Sequence, residues 1–250
     1  MSTSAFKYSV RLPFVANPVS PQWVGSKFLA TLDALTQIDS NIFPDWEVGD
    51  LPAMKGYPLA VARARIADII GNNVTRYDRD LPKTEAHYTA VARTMVDARS
   101  RRMTVWVRPW LGDISLKAGD EMVAPDPAIV TYPMFRAALL AINTVWQQPW
   151  ACVEAFRLHY NKMPLYSGAA LFPYSCFHIP WIACLGPSLL KGAILPPDIK
   201  TEQSANGGLL MIATEERLDP TNPEHLRRAR ILAETMITCT GYQPRGTCRT

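Results

Sequence analysis

The stretch Gly207 to Ile237, GGLLMIATEERLDPTNPEHLRRARILAETMI, constrains the fold more than any other part of the chain. Two glycines break the backbone, and Leu209, Leu210, Met211 and Ile212 follow as a short apolar run, which fits a buried strand. ERLDPTNP comes next, with two prolines and an Asp219-Pro220 turn signal. Asn222 suits an N-cap, and Pro223 sits at the first helical position, where a missing N–H costs nothing. Beyond it Leu226, Ala229, Leu232, Ala233, Met236 and Ile237 share one helical face, while Arg227, Arg228 and Arg230 fall mostly on the other. Glu234 stands four residues after Arg230 and can pair with it. The segment reads as strand, tight loop and helix, and it holds no catalytic motif.

The same reading extends along the chain. Ala5–Phe14 predicts a strand with Phe6, Tyr8, Val10 and Leu12 on one side. Ser20-Pro21 starts a helix to about Ile38, with Val24, Phe28, Leu32 and Leu35 on one face. Phe43–Val48 is a short strand with Trp46 half-buried, and Leu51–Gly56 is a loop. Pro58 opens a second helix, whose apolar face is Leu59, Ala62, Ile66, Ile69 and Ile70. Tyr88–Val96 and Met103–Val107 read as strands joined by DARSRR, and in the second Val105 and Val107 alternate with Thr104, Trp106 and Arg108. Ile114–Leu116 and Glu121–Val123 complete an antiparallel meander.

Ala124-Pro125-Asp126-Pro127 is a rigid linker. Tyr132-Pro133 opens a helix containing Phe135, Leu139, Ile142, Val145 and Trp146. It is apolar on nearly every side, which places it in the core. Cys152–Tyr160 and Phe177–Leu185 follow as strands, with Pro180 marking an edge or a bulge. Ser188–Lys191 is a helical turn, and the tail from Gly241 is loose. The fold class is α+β: a mixed or antiparallel sheet of about seven strands with about four helices packed on it. Residues 1–250 form a single domain, with a possible subdomain break near 124–130. A chain of 250 residues that is 48% hydrophobic and 19% charged can bury a sizeable core.

Net charge is +4. The arginines are scattered in small groups, Arg63 and Arg65, Arg76 and Arg79, Arg99 to Arg102, Arg227 to Arg230. That pattern suits solvated faces rather than one nucleic-acid patch. Five cysteines, odd in number and without a C-x-x-C pair, point to free thiols in a reducing compartment. No secretory leader and no apolar run of membrane-spanning length is evident, so the expected location is the cytoplasm, with no membrane partner.

Catalytic and metal signatures are missing from the spacing. No two of His87, His159, His178 and His225 are close enough for a metal motif. No G-x-S-x-G elbow occurs. Cys176 and His178 share a strand face, yet a buried structural Cys is the simpler reading. Gly207-Gly208 precedes a strand, so it is a turn rather than a phosphate cradle. No cofactor, metal or catalytic residue is assigned. Two acidic groups stand out instead: Asp45, Glu47 and Asp50 around Trp46, and Glu215, Glu216 and Asp219. Exposed carboxylates can engage a basic partner, and turn chemistry explains Asp219 equally well.

Leu32-x-x-Leu35-x-x-Ile38-Asp39 with Phe43-x-x-Trp46, and Gly207-Gly208-Leu209-Leu210 with Asp219-Pro220-x-Asn222-Pro223, resemble the immunity protein 52 family of bacterial polymorphic toxin systems. The resemblance implies a cognate inhibitor rather than an enzyme. Its partner would be a protein toxin, often a restriction-endonuclease-like nuclease, held stoichiometrically without direct nucleic-acid binding. Asp45, Trp46, Glu47, Asp50, Glu215, Glu216 and Asp219 are the expected partner contacts. A mildly basic chain argues against DNA mimicry and for a shape-based interface or a local acidic patch. Two other classes stand beside it: a small hydrolase or transferase, recognisable by a pocket with perturbed titrating groups, and a nucleic-acid or scaffold binder, which needs the arginine groups to converge.

Overall fold

The structure, a computed structural model, describes residues 6–13, 20–74, 87–109, 112–120, 123–157, 178–191 and 193–241. Its strands are β1 (Phe6–Pro13), β2 (Trp46–Asp50), β3 (Lys55–Pro58), β4 (Ala90–Thr94), β5 (Met103–Arg108), β6 (Asp113–Ala118), β7 (Trp150–Arg157), β8 (His178–Leu185), β9 (Lys200–Gln203) and β10 (Leu209–Ile212). Among the described residues they form one sheet of ten strands in the order β3-β2-β4-β5-β6-β1-β7-β8-β10-β9, every pairing antiparallel. The class is α+β, with more strands than the sequence suggested. β1 lies inside the sheet, bonded to β6 on one side and β7 on the other. Strands from before and after residues 124–130 therefore belong to the same sheet.

Directly opposed residues of neighbouring strands share a face. One such row crosses eight strands: Val48, Ala92, Val105, Leu116, Val10, Val153, Ile182 and Ile212. All eight are buried. Each Val, Leu or Ile side chain of the row contributes roughly 1.5–3 kcal/mol over its exposed state. The row explains why β-branched residues recur at alternate positions of otherwise unrelated segments.

Helices cover this apolar face. α1 (Pro21–Ile38) begins where Ser20 Oγ accepts the Trp23 N–H at 3.2 Å, and it buries Val24, Phe28, Leu32 and Leu35. Two indoles reach back to it. The Trp146 N–H donates to Thr31 Oγ1 at 2.8 Å, and the Trp46 N–H donates to Thr36 Oγ1 at 3.0 Å. Each threonine hydroxyl donates in turn to the carbonyl four residues earlier. α4 (Tyr132–Trp146) packs against α1 and against β7 and β1. This contact on two sides accounts for its nearly all-round apolar sequence. α5 (Pro223–Thr240) packs on β8. Asn222 Oδ1 accepts the Glu224 and His225 N–H groups at its start, and Gly241 closes it at φ +65°, a left-handed conformation that favours glycine.

Several expectations need correction. Leu51–Gly56 is not all loop. Residues 51–54 turn, and Lys55–Pro58 form an edge strand paired with β2. The second helix is split into α2 (Leu59–Ala62) and α3 (Ile66–Asn72) by a 3-10 turn at Arg63–Arg65. Trp46 is not half-buried: it is 1% exposed, stacked on Phe43 at 5.7 Å between ring centres. Its indole N–H donates to Thr36 of α1, which places the ring in the core beneath that helix. Pro180 does sit at a bulge, where the β7–β8 register shifts between Val153 and Glu154, but β8 is an interior strand. Most of the expected strand Glu121–Val123, the tail, Cys176 and the side chain of His178 lie outside the described residues. Among the described residues no helix is long and apolar enough to cross a membrane.

Candidate functional site

One residue out of step with the apolar row, the chain presents the other face of the sheet. There the row is Glu47, Arg93, Thr104, Lys117, Ser9 and Glu154, from β2 across β4, β5, β6 and β1 to β7. The next row is Val91, Trp106, Ser115, Arg11 and Cys152. This second face carries charged and polar side chains among a few apolar ones, where the eight-strand row of the first is apolar throughout. The β2–β3 hairpin stands at its border, and the two together enclose a groove of about 780 Å³. Val91, Arg93, Thr104, Trp106 and Lys117 line its strand face. Leu51, Met54 and Lys55 line it from the hairpin, and Lys7 and Phe156 from β1 and β7.

Asn73 holds the hairpin in place. Its Nδ2 donates to the Gly49 carbonyl and its Oδ1 accepts the Leu51 N–H, both at 2.8 Å. The hairpin tip is apolar and exposed: Met54 is 92% exposed and has φ +48°, a conformation uncommon outside glycine. β3 itself supplies Gly56, where any side chain would run into that of Glu47.

The charges of this face are mostly tied to one another. Arg93 donates through Nε and Nη2 to Glu47. Arg108 pairs with Asp113, and Arg11 bridges Asp113 at 3.3 Å and Glu154 at 3.5 Å. Arg99 and Arg102 share Asp120 at 2.9 and 3.0 Å, and Lys7 donates to the Asp120 carbonyl. Trp106 carries the Arg108 guanidinium over its ring at 5.5 Å. Buried beneath these groups, Ser115 Oγ and Arg108 Nε have no hydrogen-bond partner among the described residues.

Lys117 differs from the rest. It makes no hydrogen bond or ion pair among the described residues, and it sits in the same row as Arg93 with Thr104 between them. Burial lowers its pKa, and the nearby Arg108 and Arg11 lower it further, against opposing pulls from Asp113 and Glu154. Cys152, on the same face, has its thiol pushed well above the ordinary range by burial and by Glu154, so it is a poor nucleophile.

The residues expected as partner contacts are scattered. Trp46 is withdrawn by its burial. Asp45 is exposed and accepts the Trp46 N–H. Glu47 and Asp50 line the groove. Asp50 also accepts the Ala53 N–H at 3.3 Å within the hairpin turn. Glu215 and Glu216 follow β10, which six strands separate from β2. Glu215 pairs with Lys200 at 2.7 Å, and Glu216 is exposed, 3.7 Å from His225. Asp219 accepts the Thr221 N–H and hydroxyl as a turn residue. These bonds, together with His225 and Arg217, outweigh its burial and hold its carboxyl below the usual range. The two acidic groups thus occupy different ends of the sheet. The arginines do not form a single free patch either: Arg63 binds Asp33, and Arg227 and Arg228 bind Glu224.

Sequence reasoning missed Lys7, Arg93, Arg102 and Lys117. The alternation of Thr104, Trp106 and Arg108 with Val105 and Val107 does signal one solvated sheet face. It does not tell which strands stand beside β5. Among the described residues, no group of three or more His, Cys, Asp or Glu is placed to hold a metal ion.

No protein-family model matches the chain, and no curated protein matches it in sequence. Among solved structures the chain is similar to a Pseudomonas aeruginosa T6SS protein, at 10% identity and a TM-score of 0.49, with 94% of this chain and 76% of that chain covered.

Proposed function

We propose that this chain is a cognate immunity protein that binds and neutralises a bacterial polymorphic toxin, of the restriction-endonuclease-like nuclease kind, by stoichiometric occlusion. One observation carries the proposal: a groove of about 780 Å³ between the β2–β3 hairpin and the charged sheet face, most of whose charged side chains are already tied to one another. A surface held in this way loses little side-chain freedom on docking, which favours tight association. The resemblance to the immunity protein 52 family supports the same reading. The residues that bear it serve the fold: Leu32, Leu35, Phe43 and Trp46 are core, and Asn222 caps α5.

The runner-up is a small enzyme. Lys117 favours it, because a desolvated lysine in a groove suits nucleophilic or general-base work. Co-expression with any toxin-like gene encoded beside this one separates the two. Growth rescue with a one-to-one complex on purification supports immunity. A folded protein that gives neither rescue nor complex sinks the pairing and sends the search to substrates.

A further inference from the structure

The groove beside the β2–β3 hairpin has a chemistry of its own. Its cations are Lys7, Lys55, Arg93, Arg102, Arg108 and Lys117. Against these six stand three carboxylates, Glu47, Asp50 and Asp120. The lining is therefore positive even after its internal ion pairs are counted. Arg93 and Arg102 are spent on Glu47 and Asp120. Lys55 and Lys117 have no ion-pair partner among the described residues. Apolar surface lies next to them: Trp106 and Val91 on the strands, Leu51 and Met54 on the hairpin.

We infer that this groove docks an acidic segment of the partner protein, seating a carboxylate side chain on Lys117 and an apolar side chain against Trp106 and the Leu51–Met54 lip. The inference rests on the reading of this chain as a partner-binding protein and names the chemistry of that partner. Lys117 gains most from the contact. It is held beside Arg108 and Arg11 without a carboxylate of its own, and an incoming Asp or Glu supplies one in a partly desolvated place, where a charge-assisted bond is strong. A nucleic-acid strand fits less well. A phosphate backbone takes its affinity from many free cations, whereas most cations here are engaged and Lys55 and Lys117 alone lack an ion-pair partner among the described residues of the lining. The hairpin lip adds apolar area that a protein segment can use and a phosphate chain cannot.

The test uses the full chain and three fluorescent probes: a decapeptide of alternating Glu and Leu, the same peptide with Gln for Glu, and a single-stranded oligonucleotide. Binding is read by anisotropy for the wild type, Lys117→Glu, Lys117→Met and, as an equal charge change outside the groove, Lys191→Glu. The expected result is binding of the Glu peptide alone, weakened roughly tenfold or more by either Lys117 change and little by Lys191→Glu. Equal weakening by Lys117→Glu and Lys191→Glu, indifference to both, or preference for the Gln peptide or the oligonucleotide overturns the inference. Lys117→Met guards against a misfolded charge reversal, and unchanged thermal unfolding verifies each variant. Toxin co-purification with the same variants separates the two readings. Retention of toxin by Lys117→Glu removes the groove and leaves immunity standing. Loss of all toxin pairing in the wild type, with Glu-peptide binding intact, does the reverse.

Discussion

The Tyr8 hydroxyl donates to the carbonyl of Leu218 at 2.6 Å, joining the central strand of the sheet to the loop that leads into α5. Tyr8 also packs edge-on against Trp181 at 5.8 Å between ring centres. Replacing Tyr8 with Phe keeps the ring and strands a buried carbonyl. The expected cost is about 1–2 kcal/mol in denaturant unfolding. No change in the midpoint would mean that water replaces the phenol.

The same phenol makes stability pH-dependent. Burial pushes the Tyr8 pKa up to about 12. The unfolded chain releases that proton near pH ~10. Above that, the folded state holds a proton the unfolded state has lost, so stability falls as pH rises. The contribution is fully present below pH ~10 and is lost as pH rises through ~12, a span of about 2 kcal/mol after allowance for solvent. Urea melts at alkaline pH should therefore show the wild type falling more steeply than Tyr8→Phe.

Asn222 caps α5 with one side-chain oxygen shared between two N–H groups. Asn222→Ala should cost about 1 kcal/mol, and Asn222→Asp should recover most of it. Equal loss in both variants would assign the effect to the turn rather than the cap.

Gly208 lies where an added Cβ would stand 2.5 Å from the Leu185 carbonyl and 2.9 Å from Ser204 Oγ. The first of these atoms is backbone and cannot swing away. Gly208→Ala should destabilise by about 1–3 kcal/mol, read as a lower thermal midpoint. Gly241→Ala, with open space around its Cβ but φ +65°, should cost only the strain of that conformation.

Thiol labelling followed by mass spectrometry should find Cys152 and Cys184 protected in the native protein, since both are buried and burial raises both pKa values. Cys239, partly exposed, should label before them. Rapid native labelling of Cys152 would contradict the packing of β7.

The helices were largely legible because their signals are local. Ser20-Pro21, Tyr132-Pro133 and Asn222-Pro223 each mark a helix start within a few residues. β3 and β9 were not legible. KGYP and KTEQ are short, polar and lie at the two edges of the sheet, where no second neighbour imposes an apolar pattern. The position of β1 between β6 and β7 depends on contacts far apart in sequence, which no periodicity encodes. The groove was missed for the same reason. Lys117 is an ordinary alternating polar residue until β4, β5 and β1 bring Arg93, Thr104 and Ser9 into its row. The acidic residues drew attention as clusters in sequence, yet their bonds are mostly to nearby turns and neighbouring strands.

The central place of β1 has a consequence for biosynthesis. β1 precedes both its partners, and β7 begins at Trp150, after most of the sheet's first half has been made. Until then Val10, Leu12 and the backbone of β1 have one neighbour at most, and an interior strand waits as an edge. Such a chain is exposed to intermolecular pairing during synthesis, and its closure rests on long-range contacts that form slowly. Slowing translation before Trp150, or withholding chaperones, should raise the aggregated fraction more than the same treatment after β7 is complete.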